Sequence, residues 1–122
     1  MILIIDDPGY SCICVAALEF EGYEIRTVTD SNCIRDKLDS GEINLIITSY
    51  PYGAAFFDEI KKRSISTIIL SDHIDGELIG ILERLDNYYC MIKPVDYQKF
   101  RSLVSKVMNG DLQNVQGGYN IV

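Results

Sequence analysis

Five short apolar runs, each followed by a stretch of helical length, constrain this chain more than any single residue does. The runs are "ILII" (2–5), "YEIRTV" (23–28), "NLIIT" (44–48), "TIIL" (67–70) and "YYCMI" (88–92). Runs that are largely apolar without a break, rather than apolar at every second position, belong to strands covered on both faces. A helix after each such strand then requires a parallel sheet between two helical layers. The expected architecture is a doubly wound (βα)5 α/β domain.

The intervening segments carry helical spacing. Ile13, Ala17 and Phe20 form one stripe over 10–21, which closes at Gly22. Asp30 or Ser31 can cap a short second helix with Ile34 and Leu38 inward. "GAAFFDEIKKR" (53–63) predicts a third, with Ala55 or Phe56 and Ile60 inward, and "DGELIGILERL" (75–85) a fourth, with Leu78, Leu82 and Leu85 inward. "VDYQKFRSLVSKVM" (95–108) completes the set through Phe100, Leu103, Val104 and Val107. Residues 111–122 have no periodicity and carry Gly117 and Gly118, so the domain is expected to span 1–110, with 111–122 a tail or linker.

Charge narrows the partners. With 11 basic and 18 acidic residues, the net charge of −7 repels phosphate backbones and anionic lipid headgroups, so neither nucleic acid nor membrane is an expected ligand. The apolar run at Met1 to Ile5 has no basic flank and acids directly behind it, unlike a signal peptide or spanning helix, which points to a cytoplasmic protein. Cys12, Cys14, Cys33 and Cys90 show no CxxC spacing and are expected to be small buried thiols.

Doubly wound sheets bind ligands beyond the carboxyl ends of their strands. Those ends hold Asp6 and Asp7, Ser49, Ser71, and Lys93 with Pro94. Adjacent acids at a buried strand end repel each other and are poorly solvated, so they need a compensating cation.

The set "DD" after the first strand, Ser71 after the fourth, "KP" after the fifth and "EGYE" before the second resembles the receiver domain of two-component response regulators over residues 1–109. The resemblance implies a flavodoxin-like three-layer sandwich, and together with right-handed crossovers it implies sheet order 2-1-3-4-5. It implies that Asp6 and Asp7 match the magnesium-binding acids, Ser71 and Lys93 the hydroxyl and lysine that contact a phosphoryl group, and Cys90 the switch position. The phosphoacceptor slot falls on Ser49, and no Asp or Glu occurs between Ile43 and Phe57. A serine needs an adjacent base to become nucleophilic, and His73, the only histidine, is expected on a surface loop. Ser49 is therefore expected to be a structural hydroxyl and the chain a pseudo-receiver rather than an enzyme. Magnesium, deprived of its third carboxylate, is expected to bind weakly or not at all, with Lys93 pairing with Asp6 or Asp7 instead.

The expected function is phosphorelay signalling by protein contact without phosphotransfer. A histidine kinase, an output domain or a second copy would dock on the fourth helix, fifth strand and fifth helix, where Ile79, Tyr88 and Tyr89 are interface candidates. An orthodox response regulator using another acceptor is one alternative. A small flavodoxin-like cofactor-binding protein is another, although "DDPGYS" offers no glycine-rich phosphate cradle.

Overall fold

The computed structural model describes residues 1–28, 34–84 and 87–110. Its strands are β1 (Ile2–Ile5), β2 (Ile25–Val28), β3 (Leu45–Tyr50), β4 (Thr67–Ser71) and β5 (Tyr88–Ile92). Its helices are α1 (Pro8–Leu18), α2 (Ile34–Asp39), α3 (Phe57–Arg63), α4 (Gly76–Arg84) and α5 (Tyr97–Met108). The sheet order is β2-β1-β3-β4-β5, parallel throughout, as the sequence predicts.

Burial explains the continuous apolar runs. Every residue of β1, β3 and β4 is buried, whereas β2, at an edge, exposes Arg26 and Thr27. Alternate side chains feed two cores. Leu3, Ile5, Ile46, Ile69, Tyr88 and Cys90 pack beneath α2, α3 and α4 through Ile34, Leu38, Phe57, Ile60, Leu78 and Leu82. On the other face, Ile2, Ile4, Leu45, Ile47, Tyr89 and Met91 meet α1 through Cys14 and Leu18, and α5 through Phe100, Leu103 and Val104.

Two helices differ from expectation in rotation. On α1 the buried residues are Ser11, Cys14 and Leu18; of the expected stripe Ala17 is half-buried against the core, while Ile13 and Phe20 face solvent, Phe20 being 92% exposed. The helix has no charged residue, so apolar spacing alone allowed two inward faces. On α3 Ile60 is buried as expected, but its buried companion is Phe57, with Ala55 exposed and Phe56 partly buried against the core, because a 3-10 turn at Ala54–Phe56 precedes the helix and shifts its phase. Asp30, Ser31, Cys33, Leu85 and the 111–122 tail lie outside the described residues. Cys14 and Cys90 are buried as expected, while Cys12 is exposed on the outer side of α1.

Candidate functional site

The parallel register assembles the site. Ile5 is level with Thr48, so Asp6 arrives beside Ser49; Ser71 is level with Ile92, so Lys93 follows one step on. Thr48 fastens this end of the sheet by donating to the carbonyl of Ile5 at 2.8 Å. Gly53 donates its N–H to the Ser49 carbonyl at 2.7 Å in the tight turn that follows β3.

Asp6 is fully buried and fully engaged. Its Oδ1 accepts the backbone N–H of Asp7 at 2.8 Å, and its Oδ2 accepts the Ser49 hydroxyl. Burial pushes its carboxyl above the usual range of 3.8, against the opposing effects of the Ser49 hydroxyl, the Asp7 amide and the charge of Lys93. The Ser11 hydroxyl also donates to the Asp6 carbonyl, at 3.2 Å.

Asp7 is not a second pocket ligand. It is exposed and caps α1, its Oδ1 accepting the Tyr10 N–H at 2.8 Å, with Pro8 in the first turn. Adjacent acids thus have separate tasks: one closes a buried site and the other starts a helix.

The expected salt bridge between Lys93 and these acids does not form. The Lys93 ammonium lies 4.0 Å from the centroid of the Tyr10 ring, a cation–π contact, and acts on Asp6 only through its charge. The ring belongs to the first turn of α1, so the helix supplies the partner that the lysine takes. Burial, supplemented by neighbours including the Asp6 charge, pushes both the Tyr10 hydroxyl and the Cys14 thiol up to about 12, so neither is a nucleophile near neutrality.

Ser71 also turns away from the acid. Its hydroxyl donates to the His73 carbonyl at 2.6 Å, closing the loop after β4. His73 is exposed, as expected, and its ring lies 3.0 Å from Asp75, which caps the first turn of α4 through the Leu78 N–H. Cys90 is a fully buried core thiol on the opposite face of the sheet from Tyr89 and Met91.

The interface candidates divide. Tyr88 and Tyr89 do point to opposite faces, but at 5% and 8% exposure they fill the two cores and offer no docking surface. A strand covered by helices on both sides leaves its tyrosines no route to solvent. Ile79 is half-buried on α4, and Tyr97, at the start of α5, is exposed.

The donor set does not suit magnesium. A hard divalent cation needs several oxygen ligands, yet both Asp6 oxygens and the capping oxygen of Asp7 already accept hydrogen bonds, and the neighbouring side chain on β3 is the neutral Ser49. Among the described residues, no group of three His, Cys, Asp or Glu side chains is placed to hold a metal.

Solved structures match this fold over nearly the whole chain. A response regulator receiver domain protein (CheY-like) from Methanospirillum hungatei is 21% identical, with a TM-score of 0.72 over 89% of this chain and 93% of that one. A receiver domain protein from Clostridium thermocellum is 26% identical, with a TM-score of 0.68 over 90% and 94% of the two chains. The chain has the receiver-domain fold. The receiver-fold region also matches NtrX from Brucella abortus at 20% identity and a TM-score of 0.72, covering 89% of this chain but 26% of that longer one. No protein-family model and no curated protein matches the sequence. No helix among the described residues is long and apolar enough to cross a membrane.

Sequence reading missed Tyr10, Ser11, Thr48 and Gly53 as parts of the site. Only Tyr10 left a signal, an aromatic three residues beyond an Asp that reads as a helix cap.

Proposed function

We propose that this chain is a receiver-fold signalling domain, not an enzyme, that works by protein contact in a two-component pathway without accepting a phosphoryl group and without a magnesium requirement. The observation that carries this reading is the Ser49–Asp6 hydrogen bond at the acceptor position. Ser49 is 2% exposed, its hydroxyl proton is committed to Asp6, and no carboxylate lies between Ile43 and Phe57. Phosphoryl transfer needs an accessible, activated oxygen and clustered positive charge; this pocket supplies a closed serine and one lysine stacked on an aromatic ring. The Ser71 hydroxyl, which would report an acceptor's state, is engaged by its own loop.

A partner kinase or output domain would then dock on the α4–β5–α5 side, using Ile79 and Tyr97, with Tyr88 and Tyr89 supporting that surface from beneath. Amide NMR spectra recorded before and after adding magnesium and a small-molecule phosphodonor test the reading. The expected result is no shift at Ser49, Ser71, Cys90 or Lys93. A second set of resonances spreading from Ser49 to α4 would overturn it.

A further inference from the structure

Helices α3 and α4 leave a groove between them that the residues at the strand ends do not use. It is a cavity of about 130 Å³, lined by Ala54, Phe57, Asp58 and Lys61 on one wall and by Ile81 and Arg84 on the other. The two walls repeat one pattern. On α3 the apolar Phe57 is followed four residues on by Lys61, and on α4 Ile81 is followed three residues on by Arg84, spacings that keep each pair on one helix face. Ala54, Phe57 and Ile81 pack on the core beneath and form the floor, while Asp58, Lys61 and Arg84 are exposed at the rim.

Topology brings the two cations to the same end of the groove. Strands β3, β4 and β5 are parallel, so α3 and α4, which connect them, run in the same direction, and Lys61 and Arg84 both belong to last turns. The neighbouring cations are engaged: Arg35 and Lys62 pair with Glu59, and Arg63 pairs with Glu59 and Asp39. Lys61 and Arg84 form no salt bridge among the described residues; the Arg84 Nε donates to the Gly80 carbonyl at 3.2 Å, within its own helix. Two positive charges on facing walls above an apolar floor repel each other, and a carboxylate between them removes that cost.

Size and charge select the occupant. The cavity is well below the roughly 300 to 1,000 Å³ of a small-molecule site and close to the ~150 Å³ that holds a benzene-sized group, so it admits one apolar side chain rather than a whole ligand. A nucleic-acid backbone needs more than two cations. At ordinary salt, exposed charges more than about 10 Å away are screened, so the local cations govern the groove despite the net charge of −7. Asp58, in the first turn of α3, sets the direction: the anion belongs at the Lys61–Arg84 end and the apolar group at the other.

We propose that the α3–α4 groove docks an acidic segment of a partner protein, with one apolar side chain seated on Ala54, Phe57 and Ile81 and an adjacent carboxylate held between Lys61 and Arg84. A planar guanidinium can grip that carboxylate through two parallel hydrogen bonds. Ile79, two residues before Ile81, lies about 200° away around α4, so this groove is separate from the surface assigned to partner docking above, and the inference stands whether or not that docking occurs.

Amide NMR titration of the full chain with three short peptides, acetylated and amidated, tests it: leucine flanked by glutamates, glycine flanked by glutamates, and leucine flanked by lysines. The glutamate–leucine peptide is expected to shift Ala54, Phe57, Lys61, Ile81 and Arg84, to bind at least about tenfold more tightly than either control, and to weaken as salt is raised. Lys61→Glu and Arg84→Glu are each expected to lose about tenfold or more in affinity with an unchanged melting curve. Arg84→Gln is expected to act in the same direction without placing a new charge on α4. No shift at up to about 5 mM peptide, an equal response to the glutamate and lysine peptides, or variants that bind like the wild type would overturn the proposal. So would acetate or inorganic phosphate moving the same resonances at the same concentration, which marks a small-anion site, or shifts there on raising protein concentration without peptide, which assign the groove to a second copy.

Discussion

At the scale of single residues, Asp6 is the buried acid of the site, and burial raises its carboxyl above the ordinary value. Because its carboxyl is raised above 3.8, the folded protein binds more protons than the unfolded chain between that value and the raised one. Stability therefore falls as pH climbs through that window, and above it the buried carboxylate stands as a cost. Asp6→Asn keeps an oxygen for the Asp7 N–H and an amide group for Ser49 while carrying no charge. It is expected to melt above the parent at pH 7, with the difference closing as the pH approaches 3.8; thermal melts across pH check this. Lys93 acts in the opposite sense, lowering the Asp6 carboxyl and stacking on Tyr10. Lys93→Ala is expected to destabilise by on the order of 1 kcal/mol, and a double-mutant cycle with Tyr10→Leu should show coupling between the pair. Little of this was legible in the sequence. The acids, serine and lysine could be placed at strand ends, but their pairing depends on which rotamers a neighbouring helix leaves open. Lys93 takes the Tyr10 ring as its partner in place of an acid.

Among elements, the strands were far more legible than the helix faces. A parallel strand buried on both sides must be apolar throughout, so β1, β3, β4 and β5 stand out against any background. The face of α1 could not be read, because a helix without charge offers several apolar stripes and only the sheet decides which one turns inward. The start of α3 was obscured by the 3-10 turn, and that turn depends on Gly53. A methyl group there would lie 1.9 Å from the Thr48 hydroxyl oxygen, inside the bond that holds β3 to β1. Gly53→Ala is expected to cost on the order of 1 to 3 kcal/mol by overpacking, and Thr48→Ala in the same chain to restore part of it. Urea unfolding of the two single variants and the double variant measures both effects. Additive losses would show that the clash is not the cause.

For the molecule as a whole, the two cores on either face of the sheet supply the apolar burial that holds the helices in place. Phe100, the largest fully buried side chain among the described residues, anchors α5 to the sheet. Phe100→Ala is expected to cost about 3 to 5 kcal/mol in urea unfolding, with or without magnesium. The whole-chain order of elements was legible because strand–helix alternation admits few topologies, and the receiver-like motifs selected 2-1-3-4-5 among them. The proposed function rests on Ser49, buried and bonded to Asp6 at the position that the resemblance gives to the phosphoacceptor. Intact-mass spectrometry after incubation with magnesium and excess small-molecule phosphodonor tests it most directly. The account predicts a single species of unchanged mass, and a stable adduct of one phosphoryl group, lost in Ser49→Ala, would contradict it.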